Sequence, residues 1–321
     1  MNNEKYASFE AGSNDNGRRV DRIIRQFIPE RSLNGLYKAF RKGLIRVNGK
    51  KVSPESKIRE GDSLEIYKAL MDDRKPPDQT VNNRSNNKLA ILYEDTDLLA
   101  LSKGAGKLVH GSEDSLEKDV LYYLKDKLPP SLSFKAGPLH RLDRNTSGLI
   151  FFSKSIEGAR SFSQELQKGK FRKYYVALID GKLKNKALWV DNLQRDGIKK
   201  TSSVQSEGEE ARSSFIPIRS RENRTLVLIR IETGRTHQIR VQASHHGYPL
   251  SGDRKYGGSS LKEGYLLHSF KMVPDKSSFF SERAFPEAPL PVIWHGVLEK
   301  FFPELKLEQL MEDIHVLLED K

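Results

Sequence analysis

Residues 140–148 read HRLDRNTSG and set one carboxylate, Asp143, between Arg141 and Arg144. An aspartate so flanked has two readings. It braces a loop through salt bridges, or it is a carboxylate kept ionised in a closed pocket. In the second case a cation within ~4–6 Å opposes the protonation that burial favours. A bare carboxylate can then attack carbon or take a proton. Two further stretches carry reactive side chains. FRKYYVALIDG at 171–181 holds Lys173 and Tyr175 on one face of a strand, where half-buried sheet packing is the plainer use. GRTHQIRVQ at 234–242 holds Arg235, His237 and Arg240.

Other chemistries find less support. The chain has no cysteine, which excludes disulfides, a thiol nucleophile and thiolate metal sites. His140, His237, His245, His246 and His268 form no H-E-x-x-H pattern, so no metal is expected. T-S-G at 146–148 lacks the G-x-S-x-G elbow, which leaves Ser147 a turn residue. SKGAGKLVHG at 102–111 is a glycine-bearing loop, but it has neither the G-K-[ST] ending nor the G-x-G-x-x-G context of a phosphate cradle. It is read as a plain loop.

The elements that must position these residues are legible in outline. LIFFS after the first motif is an apolar run suited to a buried strand. If HRLD is extended, Arg141 and Asp143 point to one side. Ser155 caps a helix through IEGARSFSQELQKG, with Ile156, Ala159, Phe162 and Leu166 inward and Gly169 as its stop. Thr233-Gly234 breaks the strand LVLIRI, and Gly247 ends a helix after Arg240.

Charge points to a polyanion partner. The 321-residue chain carries a formal net charge of +12. Arg18 to Lys68 alone hold fourteen Lys/Arg against six Asp/Glu. Nucleic acid is the simplest match for such a field. Within that stretch RVDRIIRQF and SLNGLYKAFRKG predict two short helices, LIRVNGKKV a hairpin at Asn48-Gly49, and DSLEIY a closing strand. No apolar run approaches the roughly 18 residues of a membrane span, and the polar N-terminus reads as no signal peptide. A cytoplasmic protein is expected.

The predicted organisation is therefore a disordered leader at 1–17, a small module at 18–70, a polar linker at 71–87, a large domain at 88–300 and an amphipathic helical tail at 301–321.

The module resembles the S4 RNA-binding domain through R-x-D-R-I-I, F-R-K-G and I-R-V-N-G-K. That likeness implies that Arg41, Lys42, Arg46, Lys50 and Lys51 face phosphates. The large domain, through HRLDRNTSG, K-Y-Y-V-A and GRTHQIR in that order, resembles the RluA-type RNA pseudouridine synthases. The helix–hairpin LYKAFRKGLIRVN is most like the subgroup acting on large-subunit ribosomal RNA. The resemblance implies an α+β fold: an S4-type module, then a mixed, largely antiparallel sheet with flanking helices. It implies isomerisation of uridine to pseudouridine without metal or cofactor, with 23S-type ribosomal RNA as partner and a monomer as working form. Asp143 is then the catalytic carboxylate and Arg240 its paired cation, through a bidentate contact. Tyr175 lies on the uracil face with its hydroxyl near the C5 proton, and Ile239 packs opposite. Arg141 enters the RNA stack. Lys173, His140 and Thr146 complete the substrate contacts. Two departures stand out. Lys103-Gly104 replaces a usual Lys-Pro and predicts a looser loop, and Gln242 stands where a histidine is usual. Two rival readings remain: a non-catalytic ribosome assembly factor on the same fold, and an RNA-cleaving hydrolase using Asp143 and His140.

Overall fold

The computed structural model of the chain describes residues 5–71, 88–197 and 201–319. The expected linker lies, beyond Met71, outside the described residues. Two compact units emerge. One gathers the described parts of Met1–Lys88, Glu117–Gly137 and Ser153–Ala159; the other takes Leu89–Leu116, Pro138–Phe152 and Arg160–Lys321. The boundaries are thus not contiguous as the sequence suggested, because two segments of the expected large domain join the first unit.

In the first unit the expected helices are α1 (Val20–Phe27) and α2 (Leu33–Arg41). Val20, Ile23 and Ile24 recur at helical spacing and are buried. Ser32 caps α2 by accepting the Gly35 N–H at 3.2 Å. Strands β2 (Ile45–Val47) and β3 (Lys50–Lys51) form the hairpin. Its turn has φ 51° at Asn48 and 74° at Gly49, the positive pair that a tight two-residue turn needs.

The leader is not disordered throughout. Residues 6–10 form β1 (Tyr6–Glu10), antiparallel to β4 (Ser63–Tyr67), and complete a sheet of order β1-β4-β2-β3. The strand covers an edge of β4 that would otherwise expose unpaired backbone groups, and Phe9 packs on Phe27 at 4.6 Å. Beyond it, the buried Asp15 accepts from the Gly12 N–H at 3.0 Å, the Leu132 N–H at 2.7 Å, and the hydroxyls of Ser131 at 2.8 Å and Ser133 at 2.6 Å. Arg18 donates to that same Ser133 hydroxyl. This carboxylate holds the 131–133 loop within the first unit.

The second unit is built on a nine-stranded sheet. Its strands are β5 (Ile91–Glu94), β6 (Leu98–Lys103), β7 (Ser147–Ser153), β8 (Phe171–Asp180), β9 (Ala187–Asp196), β10 (Thr201–Val204), β11 (Glu209–Arg221), β12 (Arg224–Ile231) and β13 (Leu267–Pro274). Their order is β10-β9-β11-β12-β8-β13-β7-β6-β5. β8 pairs antiparallel with β12 and β13, whereas β13 and β7 run parallel. The α+β class and largely antiparallel sheet expected from the sequence are what the structure has. One sheet face packs Tyr174, Val176 and Leu178 against α6 (Val292–Phe301) and α7 (Leu307–Glu319), through Trp294, Leu298, Leu310 and Ile314. The C-terminal helix is therefore part of this core, not a tail. A second cluster, Phe151, Phe162, Phe171, Phe280 and Phe285, fills the space under α4 (Ile156–Gln167), which follows α3 (Leu116–Leu124) in the chain. Ser155 caps that helix as expected, accepting the Gly158 N–H at 2.9 Å.

The β7–β13 junction fixes the end of the HRLDRNTSG loop. Ser147 is opposite His268 and Gly148 opposite Ser269. His268 Nε2 donates to the Ala288 carbonyl at 3.0 Å, so its Nδ1 accepts the Ser147 hydroxyl at 2.9 Å. Ser147 is thus a buried structural group. Gly148 has φ 109°, and a Cβ there would lie 2.1 Å from the Ser269 carbonyl oxygen.

Gly148→Ala must therefore strain the backbone and push two strands apart; it should lower unfolding stability in urea by at least about 2 kcal/mol. His268 gives a pH prediction. Burial pulls its pKa from 6.5 to about 4, so the unfolded chain binds more protons between those values. Stability should fall as pH drops through that window, by roughly 3 kcal/mol from this group. His268→Gln should flatten that part of the pH–stability curve.

Candidate active site

Asp143 sits in the loop before β7. Leu142 is buried, Arg141 exposed and Asp143 partly exposed, the alternation of an extended segment. The Thr146 N–H closes a turn onto the Asp143 carbonyl at 3.1 Å. Arg240 projects from α5 (Gln238–His245), and its Nη1 lies 3.3 Å from Asp143 Oδ2. The bidentate contact expected between these two goes elsewhere. Arg240 Nε and Nη2 bind the two oxygens of Asp253 at 2.6 and 2.9 Å, and Asp253 is only 2% exposed. The fork–fork geometry fixes the guanidinium plane and leaves Nη1 to face Asp143. The same guanidinium carbon lies 4.4 Å from the Tyr265 ring centroid and 4.8 Å from that of Tyr256. Burial alone would lower the Arg240 pKa, but the Asp253 hydrogen bond and the surrounding negative groups outweigh it and raise it.

His237 contributes from the loop just before α5. Its backbone is left-handed, with φ 58°, an uncommon state for a residue with a Cβ. The Tyr256 hydroxyl accepts the Ser202 N–H at 3.0 Å and lies 2.7 Å from His237 Nδ1. The Asp143 carboxylate, its Oδ2 3.7 Å from Nε2, favours the tautomer with the proton on Nε2, in which Nδ1 accepts from Tyr256. Burial is the main cause that lowers the His237 pKa, opposed by Asp143 and aided by Arg240, which favours the neutral ring. The loop is held by Gln238, whose carbonyl oxygen accepts from the Thr233 hydroxyl at 2.8 Å and the Arg235 N–H at 3.0 Å.

Tyr175 lies on β8, 9% exposed. Burial raises its pKa to about 12, a hydrogen bond with Ser269 opposes that, and the Asp143 charge adds to it. The phenol keeps its proton at neutral pH. Thr146 is buried beside Tyr265, hydroxyl to hydroxyl 3.4 Å, and Ile239 is 5% exposed. Lys173 donates to the Thr233 carbonyl at 3.3 Å, and burial lowers its pKa to about 8. Arg141 is exposed.

His140 departs from expectation. Its Nε2 accepts the Phe151 N–H at 3.1 Å, its ring stacks with Phe162 at 6.2 Å, and burial pushes its pKa down to about 3. It is a half-buried neutral ring that braces the loop through Phe151. Lys103-Gly104 also corrects the expected looseness. The buried Lys103 ammonium donates to the carbonyls of Gly104, Lys107 and Arg144 at 2.9, 3.0 and 2.9 Å. It therefore ties the early loop to the residue next to Asp143. Gln242, in the usual histidine position, is fully buried and accepts from Ser213 at 2.7 Å.

Sequence reasoning missed Asp253, Tyr256, Tyr265 and Lys103. The stretch GDRKYGG at 252–258 held the signal: an acid and a tyrosine in a glycine-bounded loop. Nothing local linked it to Arg240.

In the first unit Arg41, Lys42, Lys50 and Lys51 are exposed, while Arg46 donates to the Gly43 carbonyl at 3.1 Å and covers the Tyr6 ring. A separate hollow of about 510 Å³ is lined by Arg18, Arg19, Asp21, Arg22, Arg25 and Tyr37.

With this geometry in hand the comparisons are decisive. The family described as RNA pseudouridylate synthase matches residues 97–245, which span Asp143, Tyr175 and Arg240. The ribosomal large subunit pseudouridine synthase D of Pasteurella multocida is 32% identical over 314 residues, covering 95% of this chain and 94% of that protein. The chain belongs to the RNA pseudouridylate synthase family. The synthase is also 32% identical, over 75% of its own length and 77% of the relative's, to ribosomal large subunit pseudouridine synthase C of Vibrio vulnificus. In fold it is similar to human RNA pseudouridylate synthase domain containing 1, with TM-score 0.55 and 21% identity, covering 73% of this chain and 97% of that one.

The synthase should depend on Asp253 although that residue is not proposed to touch substrate. Asp253→Asn loses one charged fork and frees Arg240 to turn; a misplacement of this kind costs on the order of 100-fold in turnover. The expected signature is a fall in kcat with RNA affinity nearly unchanged. Equal losses in both would argue against a positioning role.

Proposed function

We propose that this synthase isomerises specific uridines to pseudouridine in large-subunit, 23S-type ribosomal RNA, with Asp143 as the reacting carboxylate. The relatives named for the large ribosomal subunit support the substrate class. The observation that carries the catalytic reading is the placement of Asp143 3.3 Å from an arginine whose own orientation is locked by a second, buried carboxylate.

The reaction breaks the N1–C1′ bond, turns the uracil and joins C5 to C1′. One proton leaves C5 and one arrives at N1, so composition does not change. Asp143 serves either as nucleophile at C1′ or as the base that takes a C2′ proton; both routes use the same ionised oxygen. The target nucleotide must leave its stack, at a cost of a few kcal/mol. Arg141, exposed at the motif loop, is suited to occupy the space it leaves. The Tyr175 ring offers a face for the uracil, with Ile239 opposite.

The first unit fits the role of RNA grip. Its helix pair and hairpin match the S4-like pattern, and its exposed Arg41, Lys42, Lys50 and Lys51 with the arginine-lined hollow supply phosphate contacts. The reading includes a monomer acting in the cytoplasm, and among the described residues no helix is long and apolar enough to cross a membrane.

Position-resolved pseudouridine mapping in cells with and without the gene tests this reading. Sites in large-subunit ribosomal RNA should disappear, return with the native protein, and stay absent with Asp143→Asn. Their return with that variant would overturn the assignment of Asp143.

A further inference from the structure

One polar cluster in the second unit takes no part in the Asp143 site. On β9 the buried Trp189 and Leu193 alternate with Asp191, which places the carboxylate on the same strand face. That face meets α5, where Val241 clusters with Leu193 and Ala211. Gln242 and His246, one helical turn apart, both reach Asp191. The Gln242 amide donates to Asp191 Oδ2 at 2.7 Å and also to the carbonyls of Trp189 at 3.3 Å and Ala211 at 3.1 Å. His246 Nε2 lies 3.2 and 3.1 Å from the two carboxylate oxygens, and its ring stacks on Trp189 at 4.5 Å and 6°. His245 adds a third donor, Nε2 at 4.0 Å from Asp191 Oδ1, beyond hydrogen-bond range.

We propose that Asp191, His245 and His246 form a binding site for a first-row divalent cation, Zn²⁺ foremost, which ties β9 to the C-terminal end of α5. The three donor atoms lie within 4.8 Å of one another. Ligand bonds of about 2.0–2.2 Å to a central Zn²⁺ set tetrahedral donors about 3.4 Å apart, so the half-exposed His245 side chain must swing inward by roughly an ångström, a movement its exposure permits. Two imidazoles and one carboxylate are a donor set suited to such ions. The surroundings are those of a prepared site. Gln242 holds Asp191 Oδ2 while Oδ1 lies 3.2 Å from His246 Nε2 and 4.0 Å from His245 Nε2, and Trp189 fixes the plane of His246, as outer-shell groups do around bound metals. The sequence hid the cluster because the carboxylate stands 55 residues before His246.

Without a cation the same atoms form an imidazole–carboxylate pair of His246 and Asp191, with His245 Nε2 4.0 Å off and outside hydrogen-bond range. That difference sets the test. The full-length chain, free of any histidine tag, is titrated with Zn²⁺ by calorimetry and with Co²⁺ by visible absorption, and its thermal unfolding is followed at about 100 µM Zn²⁺, where a micromolar site gives a clear rise in Tm. The native chain should bind one ion with a rise in Tm. His245→Ala removes a surface side chain that is 51% exposed, so its fold should persist, yet binding should weaken at least about tenfold and the Tm rise vanish. The absence of saturable binding by the native chain, or equal binding and equal Tm rise in His245→Ala, would overturn the proposal.

Discussion

A single guanidinium shared by two carboxylates is the constraint on which the rest of the site depends. Arg240 is 6% exposed and makes its strong, two-pronged contact with Asp253, leaving one nitrogen for Asp143. A buried cation is costly unless its donors are satisfied, and removing one partner strands the charge in a medium that solvates it poorly. Three chain segments are therefore coupled: the loop before β7, the helix α5 and the GDRKYGG loop. None can shift without unpairing a charge. The two tyrosine rings near the guanidinium add to the coupling, since cations held against aromatic faces tolerate little displacement.

The scaffold beneath this triad is stiff where it has to be. The Asp143 loop enters β7 at a point where Gly148 lies too close to Ser269 for any side chain. His268 then bonds across the same junction with a ring that burial keeps neutral. On the other side Lys103 gathers three carbonyls, one of them from Arg144. The histidine and the lysine have each given up the usual surface role of a polar side chain. Burial of such a group is tolerated only if its donors and acceptors find partners, and here the partners are backbone carbonyls and the Ser147 hydroxyl.

What the sequence disclosed and what it withheld follow one physical division. The motifs were legible because their residues lie near one another along the chain: Asp143 with Arg141, Tyr175 with Lys173, Arg240 with His237. Helices α1, α2 and α4 and the Asn48-Gly49 hairpin were legible from periodicity and capping. Contacts across long stretches of chain were not. Asp253 follows Arg240 by 13 residues but reaches it only because the chain reverses after α5. β1 is a five-residue strand whose stability derives from pairing with β4, more than fifty residues away, so its local signal was weak. The structural role of His140 was hidden for a different reason: its Nε2 lone pair accepts from the Phe151 amide, a contact that nothing inside the motif announces.

The titration behaviour of the site narrows how the proposed reaction can move its protons. Tyr175 and Tyr265 are both pushed up to about 12 by burial, so neither phenol is a base at neutral pH. Lys103 and Lys173 fall to about 8; the Lys103 ammonium binds three backbone carbonyls, and Lys173 donates to the Thr233 carbonyl. His237 keeps its Nδ1 lone pair engaged by Tyr256, which leaves it a donor toward Asp143 and not an acceptor for substrate protons. Arg240 holds its charge throughout. If Asp143 is the reacting group, then, it is also the group best placed to receive a proton from the sugar or from C5. Arg240 Nη1, 3.3 Å from Oδ2, holds the carboxylate in place for the first step, and the partly exposed Asp143 oxygens leave a path by which that proton can later depart.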